Sequence, residues 1–269
     1  MTTYATISLA EPIAQGRTAE IYAWQDGWVL KLFHDWMSKG AVENEARVAS
    51  AVHATGVKAP AVGEVLEMNG RYGITYERVD GVTMLRVIQS RPLSVGSLAR
   101  LLAELHVEMH SRKITDIPSQ RQRLIEKIQH ARPLSPDLKQ AALAALEKLP
   151  DGDRLCHGDF HPDNVMMSPS GAVIIDWIDA TRGNPLADVA RSQLLLGKSA
   201  LPPDMTLGWL IQIIRRRYLR LYLERYSQLN PIDQDQLGAW FPVIAAARLS
   251  EDIRGEEARL LQIANQLLG

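Results

Sequence analysis

Residues 19–33, AEIYAWQDGWVLKLF, are two short runs rich in aromatic and β-branched positions on either side of Gln25-Asp26-Gly27. An Asp-Gly step between such runs predicts a β-hairpin, because glycine takes a positive φ at no steric cost. In SKGAVENEARVASAVHAT the positions Val42, Ala46, Ala49 and Val52 or His53 recur at helical spacing, and Gly56 is the expected stop. AVGEVLEM and RYGITYERV then read as two strands joined through Asn69-Gly70, a second hairpin turn. The pattern predicts a small, mostly antiparallel sheet with one helix inserted.

After Asp80-Gly81 the periodicity changes. SVGSLARLLAELHVEMHSR puts Val95, Leu98, Leu102, Leu105 and Met109 on one helical stripe. Residues 121–149 read as two helices broken by Pro133 and Pro136, and the tail from about residue 205 is helical again. Only short extended pieces, RLCH, NVMM and AVIID, lie between these helices. The expected organisation is therefore α+β in two parts. Residues 1–80 form a β-rich part ending in a hinge at 77–81, and 81–269 form a larger, mainly helical part.

Composition narrows the function classes. The chain has 269 residues, 46% hydrophobic and 23% charged, with a net charge of -1 and a pI near 6.7. A nucleic-acid binder would show a basic excess, so none is expected as a partner. A single cysteine, Cys156, allows no intramolecular disulfide and fits a reducing compartment. The start MTTYATISLAEP carries no basic-then-apolar signal pattern, and no apolar run nears the roughly 18 residues of a membrane span. These features lead to the expectation of a cytoplasmic protein without membrane partners.

The chemistry concentrates in HGDFHPDNV, residues 157–165, and in the run ending at Asp176. An Asn164 carbonyl and an Asp176 carboxylate are oxygen donors suited to a hard cation, and Mg²⁺ is held by one or two such ligands plus phosphates and water. A further aspartate, Asp159, can orient a hydroxyl and accept its proton as it attacks phosphorus. The order of base, amide ligand and carboxylate ligand follows the kinase pattern, with Gly158 in place of the arginine and Asp176-Trp177-Ile178 as the later triplet.

HGDFHPDNV with IIDWIDA resembles the aminoglycoside phosphotransferase and choline-kinase-like family, the small-molecule branch of the protein-kinase-like fold. The likeness extends to QGRTAEIYAWQDGWVLKLF, ENEARVAS, TYERVDG, LARLLAELHVEMH and GNPLADVAR. It implies a bilobal protein-kinase-like fold and an ATP- and Mg²⁺-dependent kinase acting on a small-molecule hydroxyl, with GTP left open as a donor. Asp159 would be the catalytic base, with Asn164 and Asp176 as metal ligands. Lys31, paired with Glu45, would reach the α/β-phosphates. Gly16 and Thr18 would lie in the phosphate-covering loop, where only one glycine stands for the three of protein kinases. The Glu77 carbonyl and Val79 amide would take the adenine edge, and His157 and Asp188 would brace the catalytic loop. A lysine inside WVLKLF needs an acid and a phosphate as partners, because it would be costly to bury alone.

Other readings lead elsewhere. A non-catalytic nucleotide sensor of the same fold is the alternative, yet it would be expected to have lost the base or a metal ligand, and all three stand here. Cys156, His157 and His161 suggest zinc but lack a second ligand cluster. His106 and His110, one helical turn apart, are read as packing residues. RRRYLR (215–220) is read as a solvated helix face, and Trp24, Trp28 and Trp36 as core aromatics.

Overall fold

The computed structural model describes residues 2–4, 11–198, 208–253 and 255–269. The expected start of the tail helix at 205–207 and most of the opening segment fall outside them. In chain order the strands are β1 (Thr2–Tyr4), β2 (Ala14–Gln15), β3 (Ala19–Ala23), β4 (Trp28–Phe33), β5 (Val62–Met68), β6 (Arg71–Glu77), β7 (Val82–Thr83), β8 (Arg154–Cys156), β9 (Val165–Ser168), β10 (Gly171–Ile174) and β11 (Thr181–Gly183). The helices are α1 (Lys39–Ala54), α2 (Met84–Ser90), α3 (Val95–Ser111), α4 (Gln120–His130), α5 (Pro136–Lys148), α6 (Pro185–Lys198), α7 (Gly208–Leu229), α8 (Gln234–Arg248) and α9 (Glu257–Ala264).

The chain divides into two compact units, residues 1–83 with 165–178, and 84–164 with 179–269. The segment 165–178, placed by the sequence pattern in the helical part, thus groups with the first unit. In that unit six strands run in the order β1-β5-β6-β4-β3-β2, all pairs antiparallel except β1 with β5. Both expected hairpin turns form, with Gly27 at φ 75° and Asn69-Gly70 at 52° and 75°. A second sheet, β10-β9-β7, completes the unit.

Strand alternation decides which side chains meet. Successive β4 residues point to opposite faces, so Leu30 and Leu32 join one core with Tyr22, Leu66 and Met68. Phe33 joins the other core, with Val42 and Ala46 of α1. Lys31 shares the face of Phe33, and a one-residue register slip would turn it away from α1. Ser38 caps α1 by accepting from the Ala41 amide, and Thr55 with Gly56 (φ 77°) ends it. Trp36 corrects one expectation. It is 63% exposed, because it sits in the β4–α1 connection, outside the strand alternation that would bury it.

The second unit is built around α8, whose residues Val243–Ala247 are buried and which packs on α4, α5, α6 and α9. Ser119, Ser135 and Asp233 cap α4, α5 and α8. The stripe Val95, Leu98, Leu102, Leu105 and Met109 is buried, and α3 lies along α7. Strands β8 and β11 pair antiparallel, and β8 leads directly into the 157–164 loop. On α7, Tyr218 is buried while Arg216, Arg217 and Arg220 are exposed.

Candidate functional site

In the first unit β4 and α1 bring Lys31 Nζ to 2.7 Å from Glu45 Oε1, and Asp176, just beyond β10, contributes Oδ1 at 3.0 Å. Burial alone would lower the Lys31 pKa, but the carboxylates of Asp176 and Glu45 outweigh it and raise it, so the ammonium stays charged. Burial pushes Glu45 up while Lys31 opposes it, and the Tyr76 hydroxyl also donates to Oε1 at 3.2 Å. With a lysine at 2.7 Å the pair is an ion pair rather than a neutral one. Asp176 adopts the left-handed region (φ 63°), unusual for an aspartate, and its side chain is 43% exposed.

The other expected residues of this unit are more open. Gly16 and Thr18 lie in the β2–β3 turn, where the Gly16 amide donates to the Ala19 carbonyl and the His34 amide to the Thr18 carbonyl. Glu77 ends β6 and accepts from the Ala61 amide at 3.1 Å, and Val79 follows it, half-buried.

In the second unit the 157–164 loop is pinned by Asp188, on the first turn of α6. The His157 amide donates to its Oδ2 at 2.6 Å and the Gly158 amide to its Oδ1 at 2.8 Å. Asp188 therefore braces backbone, and the His157 ring accepts from the Asp159 amide at 3.3 Å. Asn164 Nδ2 donates to the Asp159 carbonyl at 2.9 Å, which leaves the amide oxygen as the acceptor that could meet a cation.

Asp159 Oδ1 accepts from Arg191 at 3.2 Å, and His161 Nε2 lies 3.3 Å from Oδ2. Burial would raise the Asp159 pKa, but His161 and Arg191 outweigh it and hold the carboxyl well below its usual range. Arg191 also donates to the Gly158 carbonyl at 3.0 Å and reaches Glu251 at 2.9 Å. Glu251 in turn meets Lys127 at 3.1 Å and Arg248 at 2.9 Å. Asp179 is bound by Arg123 and Lys127. Cationic and anionic groups alternate here, so neither sign dominates beside Asp159.

Arg191 and Glu251 were not among the expected residues. Arg191 falls three after Asp188 on the same helical face, a spacing that could have pointed to it, while Glu251 had no such signal. Gly158 is fixed by geometry, with φ 79° and a built Cβ only 2.5 Å from the Asp179 carbonyl oxygen. Gly158→Ala is expected to lower stability by about 2 kcal/mol or more, from left-handed strain and overpacking together, read as a lower urea midpoint.

A model of the phosphotransferase enzyme family matches residues 10–226. No curated protein matches. Among solved structures, a thermostable aminoglycoside phosphotransferase APH(4)-Ia, in complex with AMP-PNP and hygromycin B, is 16% identical with a TM-score of 0.64, covering 96% of this chain and 92% of its own. An amicoumacin kinase, in complex with AMP-PNP and Ca²⁺, is 14% identical with a TM-score of 0.63, covering 96% and 87%. A choline/ethanolamine kinase family protein from Mesorhizobium loti is 15% identical with a TM-score of 0.55, covering 98% and 88%. The fold is thus the α+β protein-kinase-like fold of aminoglycoside kinases, with its antiparallel sheet first and its helices after. The match to the family covers most of the chain, and the chain belongs to the phosphotransferase enzyme family.

Proposed function

We propose that this phosphotransferase moves the γ-phosphoryl group of ATP to a hydroxyl of a small molecule, with Mg²⁺. The observation that carries the reading is Lys31, a charged ammonium inside an apolar strand, placed between Glu45 at 2.7 Å and Asp176 at 3.0 Å. The two carboxylates keep this ammonium charged and aimed, and a nucleotide's phosphates are an anion that a lysine so placed suits. Neighbours of the same fold carry AMP-PNP, ADP or Ca²⁺ in their complexes, which agrees with nucleotide and divalent-ion use.

The chain's own residues divide the work. Lys31, oriented by Glu45, binds phosphate oxygens. The Gly16–Thr18 turn lies over them, and the Glu77 carbonyl and Val79 amide take the base. The oxygen donors of Asn164 and Asp176 suit Mg²⁺, which when bound neutralises phosphate charge. Asp159, held ionised and aimed by Arg191, accepts the hydroxyl proton of the acceptor. His157 and Asp188 hold the loop in place. Positioning and charge, rather than covalent chemistry at the protein, supply the rate.

Mg-ATP at about a hundred times its Kd is expected to stabilise the fold by about 2.7 kcal/mol, seen as a raised Tm. Incubated with Mg-ATP and a cell metabolite extract, the protein should yield one species heavier by a phosphoryl group. Absence of both the stabilisation and the product, with Mg-ATP and with Mg-GTP, sinks the reading.

A further inference from the structure

The Asp188 carboxylate closes a polar network that extends well past the loop it braces. Besides the His157 amide, its Oδ2 atom meets His106 Nε2 at 3.1 Å and His110 Nε2 at 3.2 Å. The far nitrogen of each ring meets a tyrosine, His106 Nδ1 with Tyr222 Oη at 2.6 Å and His110 Nδ1 with Tyr226 Oη at 2.7 Å. All four side chains are buried. One pair lies a helical turn apart on α3, the other a turn apart on α7, and they match ring to hydroxyl.

Chemistry fixes the protons. An ionised carboxylate only accepts, so both imidazoles carry hydrogen on Nε2, and each tyrosine O–H donates to the Nδ1 lone pair. Every contact is then satisfied with both rings neutral. Burial, with His110 alongside, lowers the His106 pKa to about 3 and keeps that ring neutral. Among the described residues, His106, His110 and Asp188 are also the set whose ligand atoms lie within 4.8 Å of one another, as a metal would need. A cation there would require both Nε2 lone pairs and would compete with the His157 amide for Oδ2, so the hydrogen-bonded arrangement excludes it.

We propose that His106, His110, Tyr222 and Tyr226 are positioning residues for the catalytic loop, acting through the one carboxylate that holds the His157 and Gly158 amides. Three N–H groups converge on Oδ2 and hold the Asp188 carboxylate with its Oδ1 on the Gly158 amide, one residue before Asp159. Displacement of a reacting group by about 1 Å can cost on the order of a hundredfold in rate. The inference rests on the phosphotransferase reading for its kinetic arm only.

The test uses nitrogen-15 NMR of the full chain at pH 7, metal analysis, and three variants. The wild type should show both rings as neutral Nε2–H forms, with no retained zinc. Tyr222→Phe with Tyr226→Phe should shift the His157 and Gly158 amide resonances. It should also lower kcat for slow Mg-ATP turnover about 10-fold or more, with nucleotide Kd unchanged. His106→Gln, whose amide can replace the Nε2–H donor, should keep most of the rate that His106→Leu loses. Nδ1–H or doubly protonated rings, stoichiometric zinc, or a double tyrosine variant with unmoved amides and unchanged kcat overturns the proposal. Should the wild type turn over no ATP, the phosphotransferase reading fails by itself, and ring protonation with the two amide resonances still decides the network.

Discussion

Asp159→Asn is expected to lower phosphoryl transfer about 10²- to 10⁴-fold, the usual contribution of a general base, while nucleotide affinity stays near that of the wild type. The substitution removes the proton acceptor and little else. Arg191 keeps its partners at Glu251 and the Gly158 carbonyl, so no buried guanidinium is left uncompensated. The shorter Asn164 bond, 2.9 Å to the Asp159 backbone carbonyl, is untouched, and at Oδ2 the change alters only the 3.5 Å Asn164 and 3.3 Å His161 contacts. Single-turnover kinetics, paired with nucleotide titration by calorimetry, separate the two effects. A variant that phosphorylates the true acceptor at the normal rate would falsify the assignment of the base.

The same residue fixes the sign of a pH effect. Burial opposes ionisation of Asp159, but His161 and Arg191 together hold its pKa below the ordinary 3.8. The carboxylate is therefore already ionised well below neutrality. Lowering the pH from 7 to 5 should produce no loss of kcat traceable to this group, and any acid limb in that range belongs to another residue.

Much of this was legible because the relevant signals are local. Asp26-Gly27 and Asn69-Gly70 name their turns by backbone conformation alone, and the alternation of WVLKLF puts Lys31 on the Phe33 face, toward α1. HGDFHPDNV is contiguous, so Asp159 and Asn164 stand out together as candidates. What escaped was long-range or too short to carry a period. Strand β1, three residues pairing parallel with β5, has no alternation to detect, and α2 spans only Met84–Ser90. Segment 165–178 joins the first unit through the pairing of β9 with the two-residue β7, a match no periodicity announces. Glu251, just past the end of α8, meets Arg191 only through folding. The spacing of His106 and His110 was visible, and so was that of Tyr222 and Tyr226. Which pair faced which could be learned only from the packing of α3 on α7.

Asp188→Ala should be the most destabilising single change in the second unit, costing about 3–5 kcal/mol, because several neutral donors lose their acceptor at about 1–3 kcal/mol for each one left buried and unsatisfied. The carboxylate is 1% exposed and accepts from two backbone amides and two imidazoles. Truncation leaves four donors without their acceptor, three of them in buried bonds and the Gly158 amide in a half-buried one. At roughly 2–4 °C per kcal/mol for a protein of this size, Tm should fall by about 10 °C. The pH dependence follows from the direction of the shift. Burial would raise the Asp188 pKa, but hydrogen bonds from His106 and His110 hold it well below 3.8. Its contribution is therefore fully present above the unfolded-state value of about 3.9 and is lost as pH falls through the lower folded-state value. The gap in urea midpoint between wild type and variant should be constant from pH 8 to pH 5 and narrow below about pH 4. A gap that instead closes around pH 6 would mean that histidine protonation, rather than the carboxylate, governs the stability of this network.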